Sequence, residues 1–220
     1  MKCRICLSDG PFTKIHTTRC MFNNDLLCRY ECPNCNVIFG TEAMIKMSPE
    51  KLGQQYVQLY SGGYSESDAT DRELKLMQYL QPVPEKTYLN WGAGNKSSTV
   101  PTLAKQKITL ASYDPYAVKV QKGFISKASD LGIYDGIMSC NFIEHLQDPI
   151  NGLQNMLKHL APGGIMVHGT PCYQYRCINT RFHLYFFLGK SVEIMAERAG
   201  LIAERTNRLN TVLYYRKEKE

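Results

Sequence analysis

The stretch Tyr88-Leu89-Asn90-Trp91-Gly92-Ala93-Gly94-Asn95-Lys96 limits the fold more than any other part of the chain. An apolar run that enters two closely spaced glycines reads as a buried strand ending in a tight turn. The missing Cβ atoms there let the backbone approach a nucleotide-like ligand. Ser97-Ser98-Thr99 can cap a helix running to about Lys105, with Pro101 tolerated in its first turn. The next apolar run, Lys107-Ile108-Thr109-Leu110-Ala111-Ser112-Tyr113-Asp114, reads as a second strand closed by a carboxylate. Asp114 follows Gly94 by 20 residues, the interval at which a nucleotide-binding strand–helix–strand unit places the acid that accepts from ribose hydroxyls. Gly92, Gly94 and Asp114 are therefore candidate cofactor-binding residues.

Strand-like and helix-like runs alternate after that point. A short third strand is expected near Gly123-Phe124-Ile125. A fourth, Tyr134 to Cys140, runs into Asn141-Phe142-Ile143-Glu144-His145-Leu146. A helix is predicted over 149–160, ended by Ala161-Pro162-Gly163-Gly164, with a fifth strand over 165–171. A helix over 191–199 closes at Gly200, and the runs 201–204 and 211–215 lie too close in sequence to be anything but antiparallel. The expected fold is α/β and Rossmann-like: a mostly parallel seven-stranded sheet with an antiparallel last strand. Ahead of it, Pro49 opens a short helix with Tyr56 and Tyr60 on one face, and Ser61-Gly62-Gly63-Tyr64 can fold over a neighbour. Tyr60 or Tyr64 could lid a ligand there or simply pack. Thr70-Asp71-Arg72-Glu73 fits a capping box in front of Leu76, Tyr79 and Leu80.

The first 45 residues obey a different logic. Cys3-Arg4-Ile5-Cys6 and Cys32-Pro33-Asn34-Cys35 are two CxxC pairs with 25 residues between them. Each pair can aim two thiolates at one ion, and together they make a closed tetrahedral zinc site of structural type. Cys3, Cys6, Cys32 and Cys35 are the candidate metal ligands. Cys20 and Cys28 read as small core residues. The expected organisation is a zinc-ribbon module over 1–45, a connecting helical segment over 46–85 and a cofactor-binding domain over 86–220.

The net charge of +6 is spread thinly, which suits a solvated surface and gives only weak encouragement to an anionic partner. The chain contains no apolar run long enough to span a bilayer and no secretory h-region after Met1-Lys2-Cys3-Arg4, so a cytoplasmic location without membrane association is expected.

The order of these pieces resembles the class I S-adenosylmethionine-dependent methyltransferases over roughly residues 50–216. Leu89-Asn90-Trp91-Gly92-Ala93-Gly94 is similar to that family's glycine motif, with Asn90 in place of its usual acid and Lys96 in place of a third glycine. Asp114 matches its ribose acid. The segment from Tyr134-Asp135 to Glu144-His145-Leu146 and the turn Leu160-Ala161-Pro162-Gly163-Gly164 match two further motifs. The resemblance implies S-adenosylmethionine as cofactor, held by Asn90, Gly92, Gly94, Asp114, Asn141 and Phe142, with Tyr64 as a lid. Phe142 could flank the adenine or belong to the core.

Methyl transfer depends on aligning nucleophile, carbon and sulfur, and needs a base only when the nucleophile must lose a proton. His145, just past a strand's carboxyl end, is the candidate base, or else a helix-cap partner. His183 is a candidate catalytic or substrate-wall residue with Tyr185, and His168 reads as a core histidine. The cysteine pairs resemble the N-terminal part of sugar C-methyltransferases. Phe182-His183 is similar to their Glu-His segment, with Phe182 where the acid would stand. The resemblance implies a small polar acceptor, a sugar or sugar nucleotide. An RNA methyltransferase gripping RNA through the cysteine module, and a non-catalytic binding protein, are the alternatives.

Overall fold

The structure, a computed structural model, describes residues 2–61, 67–94, 97–115, 124–208 and 210–217. Its N-terminal part holds strands β1 (Thr13–Arg19), β2 (Leu26–Glu31) and β3 (Ile38–Phe39), then helices α1 (Glu42–Ile45) and α2 (Pro49–Ser61). There follow α3 (Thr70–Met77), β4 (Thr87–Trp91), α4 (Thr99–Ala104), β5 (Thr109–Tyr113), β6 (Phe124–Ile125) and β7 (Tyr134–Cys140). The chain ends with α5 (Pro149–Leu157), β8 (Leu160–Gly169), β9 (Tyr185–Phe186), α6 (Ser191–Ala199), β10 (Leu201–Arg205) and β11 (Thr211–Arg216).

Seven strands form one sheet in the order β10-β11-β8-β7-β4-β5-β6. β4 pairs in parallel with β5 and β7, and β7 with β8, while β11 runs antiparallel to both β8 and β10. The expected α/β fold, mostly parallel with one antiparallel last strand, is the one found. Helices on both faces explain why the central strands read as continuous apolar runs. Leu76 and Met77 of α3 pack with Tyr88, Met138 and Val167 on one side. Leu153 and Met156 of α5, and Val192 and Met195 of α6, pack with Leu89, Ile137 and Met166 on the other.

A second, four-stranded sheet has the order β1-β2-β3-β9. Its last strand comes from beyond β8: Ile38 pairs with Phe186 and Phe39 with Tyr185. Apolar packing is continuous from Ile5, Val37 and Phe39 into the core under α5 and α6. Among the described residues, no helix is long and apolar enough to cross a membrane.

Two local expectations are corrected. Thr70-Glu73 is not a capping box: Ala69 is the N-cap, the Thr70 hydroxyl accepts from the Ser98 N–H at 2.7 Å, and buried Glu73 accepts from the Thr99 hydroxyl at 2.6 Å. The pattern serves a tertiary contact, joining α3 to the start of α4. The helix expected over 149–160 stops at Leu157, and Pro162-Gly163-Gly164 lies inside β8 as an irregularity. Pairing jumps from Tyr134↔Leu160 to Gly136↔Ile165, so the extra β8 residues bulge out. Gly163 takes φ +72°, and a Cβ on Gly164 would stand 2.8 Å from the Asp135 carbonyl.

Candidate active site and four-cysteine centre

The strand order reverses direction between β4 and β7, and open parallel sheets bind ligands outside the carboxyl ends of the strands at such a switch point. Asn90, Gly92, Gly94, Asp114, Asn141 and Phe142 all lie there, at the ends of β4, β5 and β7. Gly92 and Gly94 have φ of +73° and +63°, the left-handed region that glycine enters without strain. The Gly92 and Ala93 amides donate to the Tyr113 carbonyl at 2.8 and 3.1 Å, and the Gly94 amide donates to Asp114 Oδ2 at 3.0 Å. Asp114 thereby ties the glycine turn of the first strand to the end of the second. A Cβ on Gly92 would stand 2.4 Å from the Phe142 ring, so that ring lies directly against the turn. Asn141 enters the left-handed region at φ +51° and donates from its amide to the Gly169 carbonyl at 2.8 Å.

Asn90 is almost wholly buried, and its Oδ1 has no hydrogen-bond partner among the described residues. An unmade hydrogen bond in such a place costs about 1–3 kcal/mol. Tyr64 and Lys96 lie outside the described residues.

A second cluster stands past β7. His145 and His183 face each other with ring centroids 4.9 Å apart. Ring nitrogens of both lie within 4.8 Å of a carboxylate oxygen of Glu144. The Glu144 carboxylate is fully buried; it accepts from the Thr170 hydroxyl and lies 3.5 Å from His168 Nε2. His168 Nδ1 lies 2.7 Å from Ser139 Oγ. His168 is thus a buried histidine, as its mid-strand position suggested, and the Ser139–His168 and Thr170–Glu144 hydrogen bonds meet across that 3.5 Å contact. Burial opposes ionisation of Glu144, but His168, His145 and His183 outweigh it and hold its carboxyl at about 2. Burial also dominates at His183 and lowers its pKa to about 4, assisted by His145 and opposed by Glu144. His183 Nδ1 sits 3.0 Å from the Cys177 carbonyl, which leaves Nε2 as the outward nitrogen.

Phe182 brings no acid to His183, but a carboxylate does lie near the His183 ring. Glu144 provides it from another segment, and the Leu184 amide donates to the Glu144 carbonyl at 2.8 Å. Tyr185, expected on a substrate wall, is 1% exposed in β9 and donates to the Gln147 carbonyl at 3.0 Å. Strand pairing with Phe39 turned it inward.

The two CxxC pairs adopt the same loop twice. Leu7 and Asn36 both have φ +62°, and their amides donate to the Cys3 and Cys32 carbonyls at 2.9 Å. The Cys3 and Cys32 amides donate in turn to Ser8 and Val37 at 3.0 Å. The four sulfurs lie within 4.8 Å of one another, with Cys3···Cys35 at 3.7 Å and Cys6···Cys32 at 3.6 Å. Four thiolates at about 2.3 Å from a tetrahedral ion would stand about 3.8 Å apart, whereas a disulfide would need about 2.05 Å. The sulfur positions therefore fit a four-thiolate metal site. Cys20 is buried and Cys28 half-buried, and neither joins the four.

Sequence reasoning overlooked Glu73, Thr170 and Arg29. Only Glu73 left a signal, an acidic residue on the apolar side of its helix, and the capping pattern absorbed it.

The methyltransferase domain family model matches residues 67–211. Among solved structures the chain is similar to the CcbJ methyltransferase from Streptomyces caelestis, at 12% identity and a TM-score of 0.50, over 76% of this chain and 98% of that one. It is also similar to a TehB-like SAM-dependent methyltransferase from Corynebacterium glutamicum, at 18% identity and TM-score 0.46, over 76% and 97% of the two chains. A sugar N-methyltransferase from Streptoalloteichus aligns at 12% identity and TM-score 0.49, over 74% and 93%. No curated protein matches the chain. At these identities the structures speak for the fold alone; the family model, which spans the glycine turn, Asp114 and the Glu144-His145 segment, speaks for more. The chain belongs to the methyltransferase domain family.

Proposed function

We propose that the protein moves a methyl group from S-adenosylmethionine to a small polar acceptor, a sugar or sugar nucleotide, and that its four cysteines hold a structural zinc ion. The observation that carries the cofactor reading is the buried Asn90 carbonyl oxygen at the end of β4, which has no hydrogen-bond partner among the described residues and lies beside a glycine turn tied to Asp114. A buried acceptor without a donor suits the ammonium group of a methionyl moiety, and the carboxylate of Asp114 suits ribose hydroxyls. Phe142 and Asn141 would border the base and sulfonium region. Bound there, S-adenosylmethionine would supply an electrophilic methyl group with a neutral thioether as its leaving group.

On the chain's side, His145 would take, through a ring nitrogen, the proton that the acceptor must lose. The ionised Glu144 carboxylate favours the imidazolium that results. His183, with its pKa near 4, is too weak a base for that task at neutral pH, and instead orients the acceptor by hydrogen bonding. The sugar assignment rests on the likeness of the cysteine pairs and of Phe182-His183 to the sugar C-methyltransferases. The zinc would be held by Cys3, Cys6, Cys32 and Cys35 with no open position, so its contribution is to folding.

Calorimetric titration with S-adenosylmethionine tests the reading directly. One site per chain is expected, weakened by about 10- to 150-fold in the Asp114→Ala variant, and no binding of the wild-type chain at millimolar cofactor would sink the reading. A panel of nucleotide sugars and bulk tRNA, assayed with methyl-labelled cofactor, then separates acceptor classes.

A further inference from the structure

Two stretches more than a hundred residues apart meet around one buried cation. Arg29 on β2 has no exposed surface. It donates from Nη1 to the His183 carbonyl at 2.9 Å, and from Nη2 to the carbonyls of Thr180 and Ile178 at 2.7 and 3.3 Å. Its guanidinium carbon lies 5.1 Å from the centroid of the Phe186 ring. Taking such a charge out of water costs several kcal/mol unless its donors are met. Burial accordingly pulls its pKa down, to about 10. The three carbonyls that accept from Nη1 and Nη2 all belong to one irregular stretch, residues 178–183, while Nε has no hydrogen-bond partner among the described residues.

That stretch has no helix or ladder of its own to fix it. The N-terminal hairpin grips it at two further points: the Met21 amide donates to the Asn179 carbonyl at 2.8 Å, and the Phe22 and Phe182 rings meet edge-on at 5.6 Å. We propose that Arg29 is a positioning residue, which holds the 178–183 segment so that the His183 ring stands against His145 and Glu144, making the N-terminal hairpin a structural part of the acceptor side. The proposal rests on the reading of His145 and His183 as acceptor-facing groups. Arginine suits the task because its planar fork presents donors from two separate nitrogens to three carbonyls; a lysine ammonium would have to serve them all from one atom on a flexible stem.

The test uses the full chain carrying Arg29→Lys, with Arg29→Met as a second variant. Amide hydrogen exchange across residues 179–184 should quicken by about tenfold or more as local opening becomes easier. The His183 imidazole, followed by NMR, should titrate closer to the ordinary histidine value of about 6.5 as its ring gains solvent. Calorimetric affinity for S-adenosylmethionine should stay within about twofold, since Asp114 and the glycine turn are untouched. Unchanged exchange and an unchanged His183 titration in both variants would overturn the proposal. So would loss of cooperative melting in the lysine variant, because the proposal confines the effect to one segment. A wild-type chain that failed to bind S-adenosylmethionine would defeat the methyl-transfer reading while leaving the exchange comparison valid.

Discussion

The two candidate clusters beyond the carboxyl ends of the strands are built by different means. The one formed by β4, β5 and the turn after β7 is shaped by backbone conformation: two left-handed glycines, a carboxylate on an amide, and an aromatic ring lying on a turn without a Cβ. The one formed by His145 and His183 is shaped by side chains arriving from remote segments: Glu144 and Thr170 underneath, Arg29 behind. Backbone-built sites are specified within a few residues of sequence, whereas side-chain-built sites are specified only by the completed fold. The first should tolerate changes at a distance and fail at single atoms. The second should respond to changes far from any ligand.

Removal of zinc by a strong chelator, or Cys32→Ser, is expected to have the largest effect. Structural four-thiolate sites contribute on the order of 10 kcal/mol to small modules, so the four-stranded sheet should melt while β4 to β8 persist. Metal analysis beside circular dichroism checks it, and a folded, metal-free protein would remove zinc from the account. Next comes His145→Ala, expected to lower turnover by about 10²–10⁴ with cofactor affinity retained. An equal loss of both would mean that the two clusters are not separable.

Acidification follows in size. His183 has a lowered pKa, so the unfolded chain binds its proton first, and stability should fall as pH drops from about 6.5 to about 4. The loss approaches about 3 kcal/mol at full protonation. Glu144, with its carboxyl held at about 2, loses its contribution in a lower window, from about 4.3 down to about 2. Denaturant melts of the wild type and His183→Gln against pH should differ in the upper window alone. The smallest effect is expected for Asp114→Ala, a loss of about 1.5–3 kcal/mol in cofactor affinity, or roughly 10- to 150-fold. A cofactor affinity that survived it would show that the ribose is held elsewhere.

These contrasts also explain what could be read from the chain alone. Helix α6, with its closing Gly200 at φ +80°, and the strand–turn–strand unit from Tyr88 to Asp114 carry their signals locally, in periodicity and in glycine placement. The two-residue strands β3 and β9 carry none, because β3 exists through pairing with β2 and β9, and β9 through pairing with β3. Tyr185 was misplaced for that reason. Arg29 looked like one basic residue in a strand-like run, and nothing nearby marks it as the partner of carbonyls at 178, 180 and 183. Glu144 was visible as part of a motif, yet its proximity to His183 depends on the path of the chain after β8.

The pairing of β3 with β9 bears on how the chain is made. During synthesis, the outer edge of β3 must wait for residues 185–186 to leave the ribosome. Through that interval Ile38 and Phe39, both buried in the finished sheet, border an open edge of the kind that recruits foreign strands. Metal capture by the early cysteines would shorten the hazard by fixing the loop that leads into β3. A newly made chain starved of zinc should therefore aggregate before it has been completed.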